Sequence, residues 1–284
     1  MEPKNLGCEA AVAFCNEAWH RHRARSALES NLNRAGIPDE EFWAHYSSWV
    51  AAMQGEYPGA LLERVKTYAR TGGTVLDVGA GAGAFAIPLA AMSRHVTAVE
   101  PSSAQVSQLT AAIERAQVAN IDIVENPWED TDIDTLGSYD LVLAVHSFQM
   151  KDIAASLKRM CAAASQCVVL IHTAGHSLSA LSHELFDIEP GPDYTYLHHM
   201  LLGLGYVPKV EFVDYSYDVP LDVQLDILRY NPGLDHTQCA TLRNHLVSHG
   251  STAVRDGTLW LRRSCRDALM AVTPNNNSWK ERPR

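Results

Sequence analysis

Val75-Leu76-Asp77-Val78-Gly79-Ala80-Gly81-Ala82-Gly83 is the stretch that decides the fold of this chain. Its apolar half predicts a buried strand, and its glycines predict a turn that reaches positive φ and lets backbone approach a ligand. A helix is predicted next, with its N-terminus directed at the same turn. Glu100 ends the following apolar run, where a carboxylate can accept hydrogen bonds from ribose hydroxyls. This order of strand, turn, helix, strand and acid predicts a nucleotide pocket.

Short apolar segments alternate with helical segments over the middle of the chain. The predicted strands are 74–78, 95–99, 121–125, 139–146, 166–173, 209–217 and 257–272, the last as one or two strands. The predicted helices are 83–93, 102–117 and 151–163, and Pro88 is expected to bend the first of them. Such alternation is typical of right-handed crossovers. The fold class is predicted to be α/β, with a Rossmann-like, seven-stranded, mostly parallel sheet and helices on both faces.

The flanking regions predict additions to this core. Residues 1–70 are predicted to form an N-terminal helical cap, with helices at 9–30, from Asp39 onward and at 60–70. The core is predicted over 71–273, with a lid insertion at about 174–204, where no clean strand is visible, and a helical insertion at about 220–249. Residues 274–284 are polar and are predicted to be a tail.

Composition and charge narrow the class of protein. The chain has 284 residues and a formal net charge of -10, which disfavours nucleic acid as a partner because the charge repels phosphate. No apolar run approaches the roughly 18 residues of a membrane span, so no membrane partner is expected. The six cysteines show no CxxC pair, and no export signal is visible at the N-terminus. These features predict a cytoplasmic protein, while the oligomeric state stays open.

The motifs resemble those of a known family. The glycine-rich stretch and Val96-Thr97-Ala98-Val99-Glu100-Pro101-Ser102 resemble the first two motifs of class I S-adenosylmethionine-dependent methyltransferases, and Tyr139–His146 resembles the family's fourth-strand motif. The resemblance covers residues 70–175. It implies S-adenosylmethionine as cofactor and a methyltransferase activity. The substrate is expected to be a small molecule, whose acceptor atom (O, N, S or C) is not readable.

The resemblance also implies roles for single residues. Asp77, Gly79, Ala80, Gly81 and Gly83 would surround the methionine end and the ribose of the cofactor. Glu100, with Pro101 and Ser102 beside it, would hold the ribose hydroxyls. The adenine would lie against Asn126, Pro127 and Trp128, and His146 would lie near the sulfonium.

Candidates for catalysis and substrate binding follow from position and residue type. His146 and His172 end predicted strands and are candidate general bases, although His146 can equally pack against the cofactor without proton transfer. Candidate substrate contacts are Trp43, Tyr46, Gln149, Tyr194, Tyr196 and His199. No metal site is expected, because His172, His176, His183, His198 and His199 do not follow a recognised ligand spacing.

Other functions stay open at this point. Gly79-x-Gly81-x-x-Ala84 also satisfies a loose dinucleotide fingerprint, so an NAD(P)-dependent oxidoreductase is the first alternative. Asp77 within the strand and the third glycine at GxGxG spacing favour the methyltransferase. A non-catalytic module that binds S-adenosylmethionine or S-adenosylhomocysteine is a second alternative, and methylation of protein or tRNA is a third.

Overall fold

A computed structural model of the chain describes residues 6–22, 38–55, 57–175, 178–188, 191–231 and 233–274. The predicted tail from residue 275 onward and the second half of the predicted helix 9–30 lie outside these residues. Within the described residues, no helix combines the length and apolar character that crossing a membrane requires.

The described residues form one sheet of nine strands. The strands are β1 Gln54–Gly55, β2 Thr74–Val78, β3 His95–Val99, β4 Ile121–Val124, β5 Tyr139–Val145, β6 Ala164–Thr173, β7 Lys209–Pro220, β8 Thr252–Arg255 and β9 Thr258–Val272. Their order across the sheet is β1-β7-β9-β6-β5-β2-β3-β4, with β8 paired to β9 outside that path. The seven predicted strands are present, and the short strands β1 and β8 are additions that the sequence did not predict.

Pairing direction separates the two halves of the sheet. Strands β4, β3, β2, β5 and β6 pair in parallel, so their carboxyl ends lie along one edge. β9 runs antiparallel between β6 and β7. The α/β, Rossmann-like fold class is thus confirmed. Its crossovers require helices between the parallel strands, and these helices fix the edge at which a ligand can bind.

Helices cover both faces of the sheet. They are α1 Leu6–His22, α2 Asp39–Ala52, α3 Gly59–Lys66, α4 Ala86–Ala90, α5 Ser103–Ala116, α6 Ile133–Leu136, α7 Ile153–Ala163, α8 Leu178–Phe186, α9 Tyr194–Gly203, α10 Leu221–Tyr230 and α11 His236–Ser248. The helical insertion predicted at about 220–249 corresponds to α10 and α11.

Helix α4 is shorter than predicted, and its start explains how Pro88 is tolerated. The glycine turn continues through residue 85, so α4 begins at Ala86 and Pro88 is its third residue. The N–H groups of a first helical turn have no partner within the helix, so proline removes no helical hydrogen bond there. The expectation that Pro88 interrupts the helix interior was therefore wrong.

Two apolar cores lie on opposite faces of the sheet. Alternate residues of β5 point to each face: Leu141 and Leu143 join one core, while Val142 and Ala144 join the other, and all four are fully buried. A strand buried on both faces reads as a continuous apolar run, which is why β5 was easy to predict. We call the core that includes Leu141 the first core and the core that includes Val142 the second core.

The predicted N-terminal cap divides between the two faces. Helix α1 packs against α7 and α9 in the second core, where Trp19 is fully buried and its indole N–H donates to the Phe148 carbonyl over 2.9 Å. Helix α2 packs against α5, α10 and β7, and its Phe42 joins the first core. Glu40 of α2 contacts Ser102, Ser103 and Ala104, which follow β3, so α2 can cover a ligand site at that edge.

Part of the predicted lid is a core helix. Residues Leu197, Met200 and Leu201 of α9 are fully buried in the second core. Their spacing of three and four residues is the helical period, although the neighbouring tyrosines and histidines obscure it in the sequence. Residues 194–203 therefore pack into the second core, and the predicted lid over 174–204 is not confirmed.

The burial of α9 in the second core can be tested by substitution. We expect Leu197→Ala to lower the free energy of unfolding by about 2–5 kcal/mol, because it removes a buried side chain and leaves a cavity. Leu202→Ala on the same helix is the matched control, since Leu202 is 41% exposed, and it should change stability by less than about 0.5 kcal/mol. Urea unfolding measures both variants. Equal stability of the two variants would show that α9 does not belong to the core.

Candidate functional site

The glycine turn lies between the carboxyl ends of β2 and β3. Gly79, Gly81 and Gly83 all have positive φ, at 73°, 56° and 89°. A Cβ at Gly79 would come within 2.3 Å of Ser147 Cβ, so the protein itself fills that side of the turn. A Cβ at Gly81 would meet only Gln105 Oε1, at 3.8 Å. The close approach of a ligand is therefore possible beside Gly81, while Gly79 is required for packing.

Glu100 follows β3 and points back at the glycine turn. Its carboxylate accepts hydrogen bonds from the backbone N–H of Gly81 at 2.9 Å and of Ser102 at 3.0 Å, and the residue is buried. Burial raises the pKa of Glu100 above its ordinary value, and the two backbone hydrogen bonds oppose that rise. Each carboxylate oxygen keeps a free lone pair, so Glu100 can still accept hydrogen bonds from a ligand.

Asp77 lies near the end of β2 and is also buried. Burial and the negative charge of Glu100 together raise its pKa to about 7, and a hydrogen bond from the Ala86 N–H opposes both effects. Two carboxylates therefore share a site of low polarity, and no described cation pairs with either of them. Such a site favours a ligand that carries positive charge.

Helix α2 closes this site from the N-terminal side. The exposed Glu40 carboxylate accepts from Ser102 Oγ at 3.1 Å, Ser103 Oγ at 3.2 Å and the Ala104 N–H at 3.1 Å. Ser47 Oγ donates to Gln105 Oε1 over 2.7 Å, further along the same two helices. Together these contacts fasten α2 across the N-terminus of α5, directly beside Glu100.

The predicted adenine contacts divide into exposed and buried residues. Asn126 is exposed, and its side-chain amide donates to the Asp130 carbonyl over 3.4 Å. Trp128 is buried in the second core, where its indole N–H donates to the Ser156 carbonyl over 3.2 Å. Trp128 thus packs beneath α7, and its role in binding adenine stays a prediction.

His146 ends β5 at the carboxyl edge, beside the glycine turn. It has a φ of 52°, which is uncommon for a residue with a side chain. Its Nε2 lies 2.9 Å from Asp267 Oδ2, and the side chain remains 25% exposed. The Tyr215 hydroxyl donates to the same oxygen of Asp267 over 2.9 Å. His146 thus occupies the position that the sequence predicted and is available to a ligand.

His172, near the end of β6, lies beside His146, with ring centroids 5.8 Å apart. It is 1% exposed, its ring also packs on those of Trp19 and Phe148, and its Nε2 lies 3.2 Å from the Pro192 carbonyl oxygen. His172 is thus far less exposed than His146, and its role as a general base stays a prediction.

The predicted substrate contacts do not come together. Trp43 and Tyr46 of α2 pack against the first core, with ring centroids 5.6 Å apart. Tyr194 and Tyr196 of α9 pack against the second core, on the opposite face. The pair on α2 and the pair on α9 therefore cannot line the same side of one binding site. The other two predicted contacts are His199, which is exposed on α9, and Gln149, whose Oε1 is buried without a hydrogen-bond partner among the described residues.

Metal binding has no support from the described part of the chain, where no three His, Cys, Asp or Glu side chains are grouped as metal ligands. His176, one of the histidines considered from the sequence, lies outside the described residues.

Sequence reasoning missed the aromatic and acidic residues that flank His146. Tyr57 is half-buried near Asp77 and Asp267, and desolvation of its hydroxyl together with those charges raises its pKa. Tyr57 packs on Tyr215, with ring centroids 5.8 Å apart. Asp267 precedes the apolar run that ends β9, in the same way that Asp77 interrupts the run of β2. That signal, an acid inside a buried strand, could have identified Asp267.

Part of the chain, including the glycine turn and Glu100, is similar to a known family. Residues 75–166 match the family described as "Methyltransferase domain". A protein of Haemophilus influenzae with no assigned function is 28% identical over 148 residues, which are 51% of this chain and 55% of that protein. The chain thus spans about half the length of that relative.

Two solved structures share the fold. The YcgJ protein of Bacillus subtilis has a TM-score of 0.51 at 14% identity, and the alignment covers 75% of this chain and 97% of that one. A provisionally assigned methyltransferase of Bacillus halodurans has a TM-score of 0.55 at 17% identity, with 76% and 99% covered.

Residues 75–166 are thus similar to a methyltransferase domain, and the fold of the chain is similar to that of the Bacillus halodurans structure. This family uses S-adenosylmethionine, so the class and the cofactor predicted from the sequence are both confirmed at the level of the family. The match does not favour the alternative of an NAD(P)-dependent oxidoreductase.

The pKa of Asp77 leads to a prediction about stability. Between about pH 4 and pH 7 the folded state holds a proton on Asp77 that the unfolded state has lost, so the free energy of unfolding falls as the pH rises through this window. Asp77→Asn removes that dependence. We expect the variant to gain about 1–3 kcal/mol relative to the wild type between pH 5 and pH 8.

Urea unfolding at several pH values measures this difference. Asp134→Asn is the control, because it makes the same substitution at an exposed aspartate. A difference for Asp77→Asn that varies with pH no more than that of the control would show that Asp77 is ionised in the folded protein throughout this range.

Proposed function

We propose that this protein transfers a methyl group from S-adenosylmethionine to a small molecule, with His146 as general base. The observation that carries the proposal is the pair of buried acids, Asp77 and Glu100, at the carboxyl ends of neighbouring parallel strands on either side of the glycine turn. The family match over residues 75–166 supports the same reaction.

The residues of the turn fit this cofactor. Gly81 leaves open space where a side chain would begin, and Glu100 keeps lone pairs for two ribose hydroxyls. Burial raises the pKa values of both Asp77 and Glu100, so ionising these acids is costly in this site. A ligand with a sulfonium and an ammonium group would lower both pKa values and would in turn be bound more tightly.

The chain's own groups then have distinct tasks. When bound, S-adenosylmethionine supplies a methyl group that is electrophilic because it is attached to a positively charged sulfur. Asp77 and Glu100 fix the orientation of that methyl group, and alignment alone can supply much of the rate enhancement. His146 accepts the proton that the acceptor atom loses as it bonds to the methyl group, which typically contributes about 10²–10⁴-fold.

A small acceptor is favoured over a macromolecule. Aromatic side chains lie near Asp77 and Asp267: Tyr215 and Tyr217 are buried, and Tyr57 is half-buried beside them. The net charge of -10 disfavours tRNA. Helix α2 covers the site, so we expect it to move when cofactor and substrate enter.

The cofactor proposal is tested by isothermal titration with S-adenosylhomocysteine. We expect Glu100→Gln to weaken binding by about 10–100-fold, because charge-assisted hydrogen bonds to the ribose are worth roughly 1.5–3 kcal/mol. Glu114→Gln, an exposed position on α5, is the matched control and should bind like the wild type.

The outcomes separate the rival functions. Absence of binding of both S-adenosylhomocysteine and S-adenosylmethionine to the wild type would refute the proposal, and binding of NAD(P) in their place would establish the oxidoreductase. Binding without transfer across a broad panel of small acceptors would favour the non-catalytic module.

A further inference from the structure

The backbone at His146 is held in an unusual conformation. Its φ of 52° lies in the left-handed region, where a residue with a side chain needs support from its surroundings. The His146 N–H donates to the Ile171 carbonyl of β6 over 3.0 Å, which anchors the residue to the neighbouring strand. This conformation turns the chain away from β5 while its imidazole remains next to β9. The direction of the side chain is therefore built into the fold.

Asp267 stands opposite this imidazole on the antiparallel strand β9. It pairs in register with Thr173 of β6 and with Val213 of β7, so it has a strand on each side and cannot shift. It is 2% exposed. Burying a carboxylate is costly unless it is hydrogen-bonded, so a carboxylate in a central strand needs hydrogen-bond partners.

Two hydrogen bonds keep Asp267 ionised. Burial raises its pKa, but the charge and hydrogen bond of His146 and the hydrogen bond of Tyr215 outweigh burial, so the pKa lies below its ordinary value. An ionised carboxylate only accepts hydrogen bonds, so His146 Nε2 must carry the proton in this contact. In a neutral imidazole the other nitrogen, Nδ1, then has a free lone pair. No described residue hydrogen-bonds to Nδ1.

From this geometry we infer that Asp267, supported by the Tyr215 hydroxyl, is a positioning residue that fixes the ring and the tautomer of His146 so that Nδ1 faces the methyl acceptor. The inference rests on the proposed function. The acceptor atom forms its bond to the methyl group as the bond from methyl to sulfur breaks, and sulfur keeps the electron pair. The acceptor's proton passes to Nδ1. Asp267 stays ionised and stabilises the resulting imidazolium, as an aspartate does in a catalytic triad.

The test is nuclear magnetic resonance of the full chain labelled with ¹⁵N-histidine, at a pH where the imidazole is neutral. The spectrum of His146→Gln identifies the His146 signals by their loss. In the wild type we expect a protonated, hydrogen-bonded Nε2 and a bare Nδ1. In Asp267→Asn we expect the Nε2 proton to exchange with solvent at least tenfold faster, because a neutral amide oxygen is a weaker acceptor than a carboxylate.

Tyr215→Phe is the second variant and keeps the carboxylate. We expect a smaller acceleration of exchange than in Asp267→Asn, with the same tautomer as the wild type. If Asp267→Asn does not fold, the wild-type tautomer and the exchange rate in Tyr215→Phe still decide the question. A wild-type Nδ1 that carries the proton would overturn the inference. An Nε2 exchange rate unchanged in Asp267→Asn, with only stability lowered, would show that Asp267 merely holds the strands together.

Titration with S-adenosylhomocysteine separates this inference from the proposed function. We expect Asp267→Asn to bind it within about threefold of the wild type, because the proposed role of Asp267 is toward His146 and not toward the cofactor. Failure of the wild type to bind would refute the methyltransferase proposal even if His146 showed the expected tautomer. Intact binding together with the opposite tautomer would refute the positioning role alone.

Discussion

The burial of two carboxylates side by side is the constraint on which the rest of the site depends. Asp77 and Glu100 are held at the ends of adjacent strands whose register is fixed over five residue pairs, so neither acid can move away from the other. Ionising both buried acids costs free energy, because burial raises the pKa of each and the charge of Glu100 also raises that of Asp77. Such a cost is ordinarily found at functional sites, because a ligand can recover it.

The surroundings of the two acids explain how the protein tolerates this cost. Glu100 accepts two backbone N–H groups, and Glu40 fastens α2 over the N-terminus of the helix that follows. The crevice is thereby closed by the protein's own groups. The contacts of Glu40 lie on an exposed surface, where each is worth little, so opening α2 is inexpensive compared with unfolding a strand. On the far side, His146 and Asp267 form a second polar cluster that joins β5 to β9.

The parallel strands and the positions of Asp77 and Glu100 could be predicted from the sequence, because both depend on local patterns. Buried strands read as apolar runs, and Asp77 interrupts one of them. Residues whose surroundings come from distant segments were harder to place: Trp128 and His172 have the residue types of a binding site, but α7 and α1 bury them. The role of Leu197 was hidden because polar neighbours obscured its helical period. Asp267 was overlooked because its partner His146 is 121 residues away in the sequence.

Counting protons during binding tests the central claim most directly. Titration calorimetry with S-adenosylmethionine at pH 7, in buffers of different ionisation enthalpy, reports how many protons leave the protein. With a pKa of about 7, Asp77 is about half protonated before binding, so the account predicts release of about half a proton per cofactor bound by the wild type and clearly less by Asp77→Asn. Binding heats that are independent of the buffer in the wild type, or the same proton release in both proteins, would contradict it.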